Sequence, residues 1–140
     1  MGRGSNKYER EKRAEFGERY SLDKSGVLDR IERAVIGAGW GANGYTTVAQ
    51  ADELADRLVL DASKRLLDIG TGQGWPGLYL AKKSGCEVVA TDLPIEGLRR
   101  AVMRIEQEQV RALGGVVCSA RWLPFGARSF DAICHTDVLC

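Results

Sequence analysis

The densest chemistry in the sequence lies in LLDIGTGQGWPGLYLA, residues 66–81. An apolar run closes on Asp68, Gly70, Gly72 and Gly74 follow at alternate positions with Thr71 and Gln73 between them, and Pro76 comes next. Glycine tolerates backbone angles closed to other residues, and its missing side chain leaves the peptide open to direct contact with a ligand. Proline suits the first turn of a helix, where its φ is preset and its absent N–H would have no partner anyway. The segment therefore reads as strand, tight ligand-facing turn and helix start, with a carboxylate at the strand end. A second carboxylate, Asp92, closes the apolar run VVATD, residues 88–92.

Two ligand chemistries fit these residues. Gly72, Gly74 and Gly77 satisfy G-x-G-x-x-G, and Asp92 lies about 20 residues on, where a dinucleotide site places its ribose-binding acid. An NAD(P)-dependent oxidoreductase is thus one reading. Asp68 argues against it, because a pyrophosphate gains nothing from a carboxylate at the strand end, whereas a cationic ligand does.

The segment resembles motif I of class I S-adenosylmethionine-dependent methyltransferases, an acidic residue followed by G-x-G-x-G. VVATD resembles the second motif of that family, and CSARWLPFGARSFDAICHTDVL, residues 118–139, resembles the third and fourth. Its Leu-Pro-Phe and Ser-Phe-Asp phrases are similar to those of the family that contains ubiquinone and menaquinone methyltransferases.

The resemblance implies S-adenosyl-L-methionine as cofactor, S-adenosyl-L-homocysteine as product and a small-molecule methyl acceptor. It also implies roles for individual residues. Gly70, Thr71, Gly72 and Gly74 would face the amino-acid portion and ribose, Asp68 the ammonium group, Asp92 the two ribose hydroxyls and Leu93 the adenine. Ser119 stands where the family usually has an Asp that receives the adenine amino group, so adenine recognition departs from the pattern here; the N–H of Ala120 would still serve a ring nitrogen. Tyr45, with Gly44 and Thr46, falls in a loop that in related enzymes folds over the methionine end. Trp75 and Trp122 fit the pocket wall and ordinary packing equally. His135, the only histidine, and Asp137 lie near the end of the fourth strand and are the candidates for a base, a group needed only if the acceptor must lose a proton.

These residues need a scaffold, and the hydrophobic pattern supplies one. Thr47 and Gln50 have capping-box spacing and predict a helix over 47–60 with Val48, Ala51, Leu54, Ala55 and Leu58 on one face. Strands at 65–70, 86–92, 116–119 and 130–136 alternate with helices at 76–83 and 95–113, and Gly85, Gly114 and Gly115 fall where helix ends favour a left-handed residue. This is the α/β pattern of a Rossmann-like parallel sheet, and the resemblance gives it the order 3-2-1-4, the first four strands of seven. Residues 1–24, with interleaved charges, read as a charged arm or solvated helix, and residues 25–140 as the cofactor-binding half of the domain. Val27, Leu28, Ile31, Ala34 and Val35 recur at helical spacing between the two.

Composition narrows the remaining choices. With 140 residues, 44% of them hydrophobic, the chain is of one-domain size and has the means to build a core. Twenty Lys and Arg against 19 Asp and Glu leave no net field for nucleic acid or an anionic membrane. No apolar run approaches the roughly 20 residues of a membrane span, and a soluble cytoplasmic protein is expected. Cys86, Cys118, Cys134 and Cys140 include no Cys-x-x-Cys pair, and the single histidine does not complete a metal site, so reduced core thiols are expected and no metal. Ending after the fourth strand, the chain is expected to be an incomplete domain that self-associates through that strand's edge near Ile133, Val138 and Leu139. An inactive cofactor-binding or interaction module is the corresponding non-enzymatic reading.

Overall fold

The computed structural model describes residues 6–22 and 26–138. Three helices, α1 (Lys7–Ser21), α2 (Gly26–Val35) and α3 (Val48–Arg57), precede β1 (Arg65–Ile69), α4 (Gly77–Ser84), β2 (Glu87–Asp92), α5 (Ile95–Glu108), β3 (Ala112–Val117) and β4 (Ala132–His135). The four strands form one parallel sheet in the order β3-β2-β1-β4. This is the expected order, and it brings the C-terminal ends of β1 and β2 side by side, with Asp68 registered against Ala90 and Asp92 two residues further along β2.

The core lies between the sheet and helices α3, α4 and α5. Leu66, Leu78, Leu80, Cys86, Val88 and Ala101 are almost fully enclosed there, with Cys134 on β4. Complete burial of a Leu or Val side chain stabilises the fold by about 1.5–3 kcal/mol, so these positions anchor the crossover helices. Cys86, Cys118 and Cys134 are free thiols; Cys140 and Leu139 lie outside the described residues.

Local signals set several boundaries as expected. Thr47 caps α3 and exchanges bonds with Gln50, and Gly85 ends α4 in the left-handed conformation, φ 77°. The end of α5 differs. The helix stops at Glu108, Gln109 takes the left-handed turn, and the N–H of Val110 reaches back to the Ile105 carbonyl. Val110 is thereby buried, and Gly114 and Gly115, expected at the helix end, lie inside β3, which begins four residues earlier than the apolar pattern placed it. Pairing with β2 decides this, for Val89 and Ala90 are registered against those glycines.

The N-terminal helices also depart from expectation. Helix α1 starts at a capping box, Asn6 with Glu9, and packs on α5, with Gly17 and Tyr20 buried. On α2 the apolar residues Val27, Leu28, Ile31 and Val35 are exposed, and the buried residue is Glu32. Its carboxylate accepts the N–H groups of Trp40 at 2.7 Å and Ala42 at 3.0 Å. The partly buried Arg104, which donates to the Gly39 carbonyl, lies in the field of the same carboxylate. These bonds satisfy two backbone donors and tie the loop 37–44 to α2.

On β4, Ala132 and Cys134 point into the core and Ile133 and His135 outward. Among the described residues, no strand pairs with the outer edge of β4. No helix among them is long and apolar enough to cross a membrane.

Candidate functional site

Above the C-terminal ends of β1 and β2 lies a cavity of about 430 Å³, within the size range of small-molecule sites. Its floor is the loop Gly70–Gln73 and its walls include Asp92, Leu93, Cys118, Ser119 and Ala120; α1 closes it with Glu9, Phe16 and Tyr20.

Turn geometry builds the floor. Gly70, Gly72 and Gly74 all have positive φ (74°, 57° and 109°), a conformation that side chains strain. A Cβ on Gly70 would also lie 2.3 Å from the Val138 side chain. The loop is tied to β2 by the N–H groups of Gly70 and Thr71, both donated to the Thr91 carbonyl. Asp92 completes the tie: its Oδ2 accepts the Gly72 N–H at 2.7 Å and its Oδ1 the Leu93 N–H at 2.7 Å. Burial raises the Asp92 pKa, and these two N–H bonds work against that rise. Each oxygen takes one bond here, which leaves acceptor capacity on a carboxylate that faces the cavity.

Asp68 has a different place. It is almost fully buried and does not line the cavity. Its Oδ2 accepts the Gly77 N–H at 3.1 Å, at the start of α4, and its Oδ1 the Cys134 thiol at 3.3 Å. Its bonds among the described residues run inward: a carboxylate at a helix N-terminus meets unpaired N–H groups and the positive end of the helix dipole. Burial pushes its pKa up to about 6 against the bonds from Cys134 and Gly77. Burial and the adjacent Asp68 raise the Cys134 thiol well above its ordinary value.

Gly70, Thr71, Gly72, Asp92, Leu93, Ser119 and Ala120 are brought together as cavity lining, and Gly74 shapes the turn behind them. Tyr45 is not brought in. The residue is 86% exposed and lines a separate surface cavity with Gln50, Glu53 and Arg57, while Gly44 of the same loop does line the main one. Trp75 is buried in the cavity wall and donates its indole N–H to the Thr46 carbonyl, whereas Trp122 is exposed away from it. His135 is exposed on β4 and lines neither cavity, because strand alternation turns it to the open face. Asp137 lies at the mouth, where its Oδ2 accepts the Tyr45 N–H at 2.9 Å and the Thr46 hydroxyl at 3.2 Å.

Residues absent from the motif reading complete the wall. Gln73 sits between two of the motif glycines, and its buried Nε2 has no hydrogen-bond partner among the described residues. Tyr20, from a helix that reads as solvated in sequence, reaches over Gly72; burial and then the Asp92 charge raise its phenol pKa. Glu9 reaches Ser119. The spacing of Asn6 and Glu9 is that of a capping box and could have marked the start of α1, but it carries no information on where the helix docks.

The cavity thus combines a glycine floor, a carboxylate at the end of β2 and apolar residues after it, and comparison with known proteins gives the family. A family model described as a methyltransferase domain matches residues 66–140, more than half of the chain. The chain belongs to the methyltransferase domain family. A methyltransferase from Streptomyces halstedii, GfsG, is 31% identical over 83 residues, covering 59% of this chain. The match spans only 30% of that relative's own length. Among solved structures, geranyl diphosphate C-methyltransferase from Streptomyces coelicolor A3(2), in complex with Mg2+, geranyl diphosphate and S-adenosyl-L-homocysteine, is similar with a TM-score of 0.69 at 15% identity, over 94% of this chain and 54% of that one. A Thiobacillus denitrificans S-adenosylmethionine-dependent methyltransferase with bound S-adenosyl-L-homocysteine gives a TM-score of 0.59 at 20% identity, over 83% and 45%. At these identities the two structures establish the fold of the methyltransferase domain, a Rossmann-like sheet in the observed strand order.

Proposed function

We propose that this methyltransferase domain binds S-adenosyl-L-methionine in the cavity above β1 and β2 and serves methyl transfer to a small-molecule acceptor. Asp92 carries the reading: a carboxylate fixed by the Gly72 and Leu93 N–H groups, with free lone pairs toward the cavity, is suited to a pair of ribose hydroxyls. Gly70 and Gly72 leave no side chain between the loop and a ligand, and the unpartnered Nε2 of Gln73 supplies a donor for a carboxylate or carbonyl.

Bound there, the cofactor supplies a methyl group already activated on a sulfonium. The chain's own task is to orient and to exclude water. Asp92 and the glycine loop orient, while Phe16 and Tyr20 of α1 cover the floor. Asp137 positions the loop at Tyr45 and Thr46 through its two accepted bonds. A base is not assigned to His135, whose side chain lies outside the cavity.

Calorimetry on the folded chain tests this reading. S-adenosyl-L-homocysteine is expected to give saturable heat, and NAD none. Heat with NAD but with neither S-adenosyl-L-methionine nor its demethylated product, at millimolar ligand, overturns it.

Self-association through the outer edge of β4, which no strand among the described residues pairs, belongs to the same proposal. Exposed Ile133 lies on that strand, and unpaired strand edges recruit partners. Sedimentation is expected to show concentration-dependent mass that Ile133→Lys reduces; a monomer at all concentrations removes this part.

A further inference from the structure

The end of the cavity beyond Asp92 presents a carboxylate that no strand supplies. Leu93, Cys118 and Ala120 make its sides apolar, as suits a flat base. At its rim Ser119 Oγ donates to Glu9 Oε1 at 2.6 Å and accepts the Arg121 N–H at 3.2 Å. A hydroxyl has one proton, so Ser119 has spent its donor on Glu9 and presents no charge of its own. The other oxygen of Glu9, Oε2, accepts the Asn6 N–H at 3.2 Å in the cap of α1. Each carboxylate oxygen thus holds one bond and keeps capacity for a second. The Ser119 hydroxyl is the largest influence holding Glu9 below the usual carboxylate range, with Arg121 adding to it, so the group is an anion at neutral pH.

We infer that Glu9, reaching in from α1 and held by Ser119, is the acceptor that selects the amino group of the nucleobase. The inference rests on the cofactor reading above and adds to it a specificity residue 110 positions away from its Ser119 partner. A carboxylate accepts hydrogen bonds and donates none. It therefore favours an aminopurine and rejects a 6-oxopurine, whose oxygen would face it. Helix α1 then does two jobs with one side chain, closing the cavity and reading the base.

The test compares S-adenosyl-L-homocysteine with S-inosyl-L-homocysteine, which carries a C6 oxygen in place of the amino group and a proton on N1, by calorimetry on the full chain; the ring-nitrogen change is common to wild type and variants, so the change in ratio on substitution reports on Glu9. Wild type is expected to prefer the adenosyl compound at least tenfold, the value of one charge-assisted hydrogen bond. Glu9→Gln keeps the reach and the capping-box geometry, and its amide can donate to the oxo group. It is expected to weaken the adenosyl compound about tenfold and bring the ratio to threefold or less, with an unchanged melting temperature. The pair Glu9→Ala with Ser119→Asp, which returns a carboxylate to the same rim from β3's side, is expected to restore the preference. A Glu9→Gln protein that keeps the wild-type ratio, or weakens both compounds equally, overturns the inference while leaving the cofactor reading intact. Failure of wild type to bind either compound removes both.

Discussion

The Gly72 N–H and the Asp92 carboxylate meet at 2.7 Å and join the loop after β1 to the end of β2. Neither group is placed by its own strand alone. Parallel pairing of β1 with β2 brings them within reach, and the positive φ of Gly72 turns its N–H toward the acid.

Asp92→Asn tests that link. One of the two carboxylate oxygens becomes an NH2 and must face the Gly72 or the Leu93 N–H, donor against donor. Hydrogen bonds to charged groups contribute about 1.5–3 kcal/mol each, so calorimetry is expected to show a roughly 10- to 100-fold loss of S-adenosyl-L-homocysteine affinity. An affinity within threefold of wild type would remove Asp92 from the binding site.

Asp68 predicts a pH dependence of stability. Its folded pKa of about 6 lies above the ordinary 3.8, so the folded chain binds this proton more tightly than the unfolded chain does. The resulting contribution is fully present below about pH 4 and is lost as pH rises through 6, by roughly 3 kcal/mol in all. Asp92 is raised by burial in the same direction. Asp68→Asn should flatten this part of the profile. Urea titrations of both proteins at pH 4.5 and 7 measure the difference, and identical pH slopes would refute the assignment.

Two helical glycines should respond oppositely to alanine. At Gly97 a Cβ would meet the Gly72 carbonyl oxygen at 2.7 Å and the Tyr20 ring at 2.9 Å. Backbone cannot yield cheaply, and Gly97→Ala is expected to cost about 1–3 kcal/mol and to weaken cofactor binding by displacing the loop. At Gly17 the nearest atoms belong to the end of the Glu96 side chain, at 2.9 Å. That carboxylate can swing away, so Gly17→Ala should gain up to about 1 kcal/mol from helix propensity. Thermal unfolding of the two variants decides; equal shifts would contradict the packing described.

Glu32→Ala should lower stability by about 3 kcal/mol or more, because the N–H groups of Trp40 and Ala42 lose their acceptor and Arg104 a nearby counter-charge. Hydrogen exchange is expected to rise at Trp40 and Ala42 first. Unchanged protection there would show that loop 37–44 is held by other contacts.

What the sequence by itself determined is what local physics controls. Alternating strand and helix periods, the capping pair Thr47 and Gln50, the left-handed Gly85 and the three turn glycines each act within a few residues, and each is found where its pattern predicts. Asp92 closes its own strand as the pattern predicts, although its tie to Gly72 needs the pairing of β1 with β2. Tertiary structure decided the rest. Gly114 and Gly115 became strand because β2 offered partners, and Glu32 is buried where the N–H groups of Trp40 and Ala42 meet it. Asp68 turned inward because the start of α4 lies beneath it. Glu9 and Tyr20 reached the cavity because α1 docks on α5. Burial and hydrogen-bond satisfaction are properties of the assembled neighbourhood, and no spacing along the chain encodes which neighbour arrives.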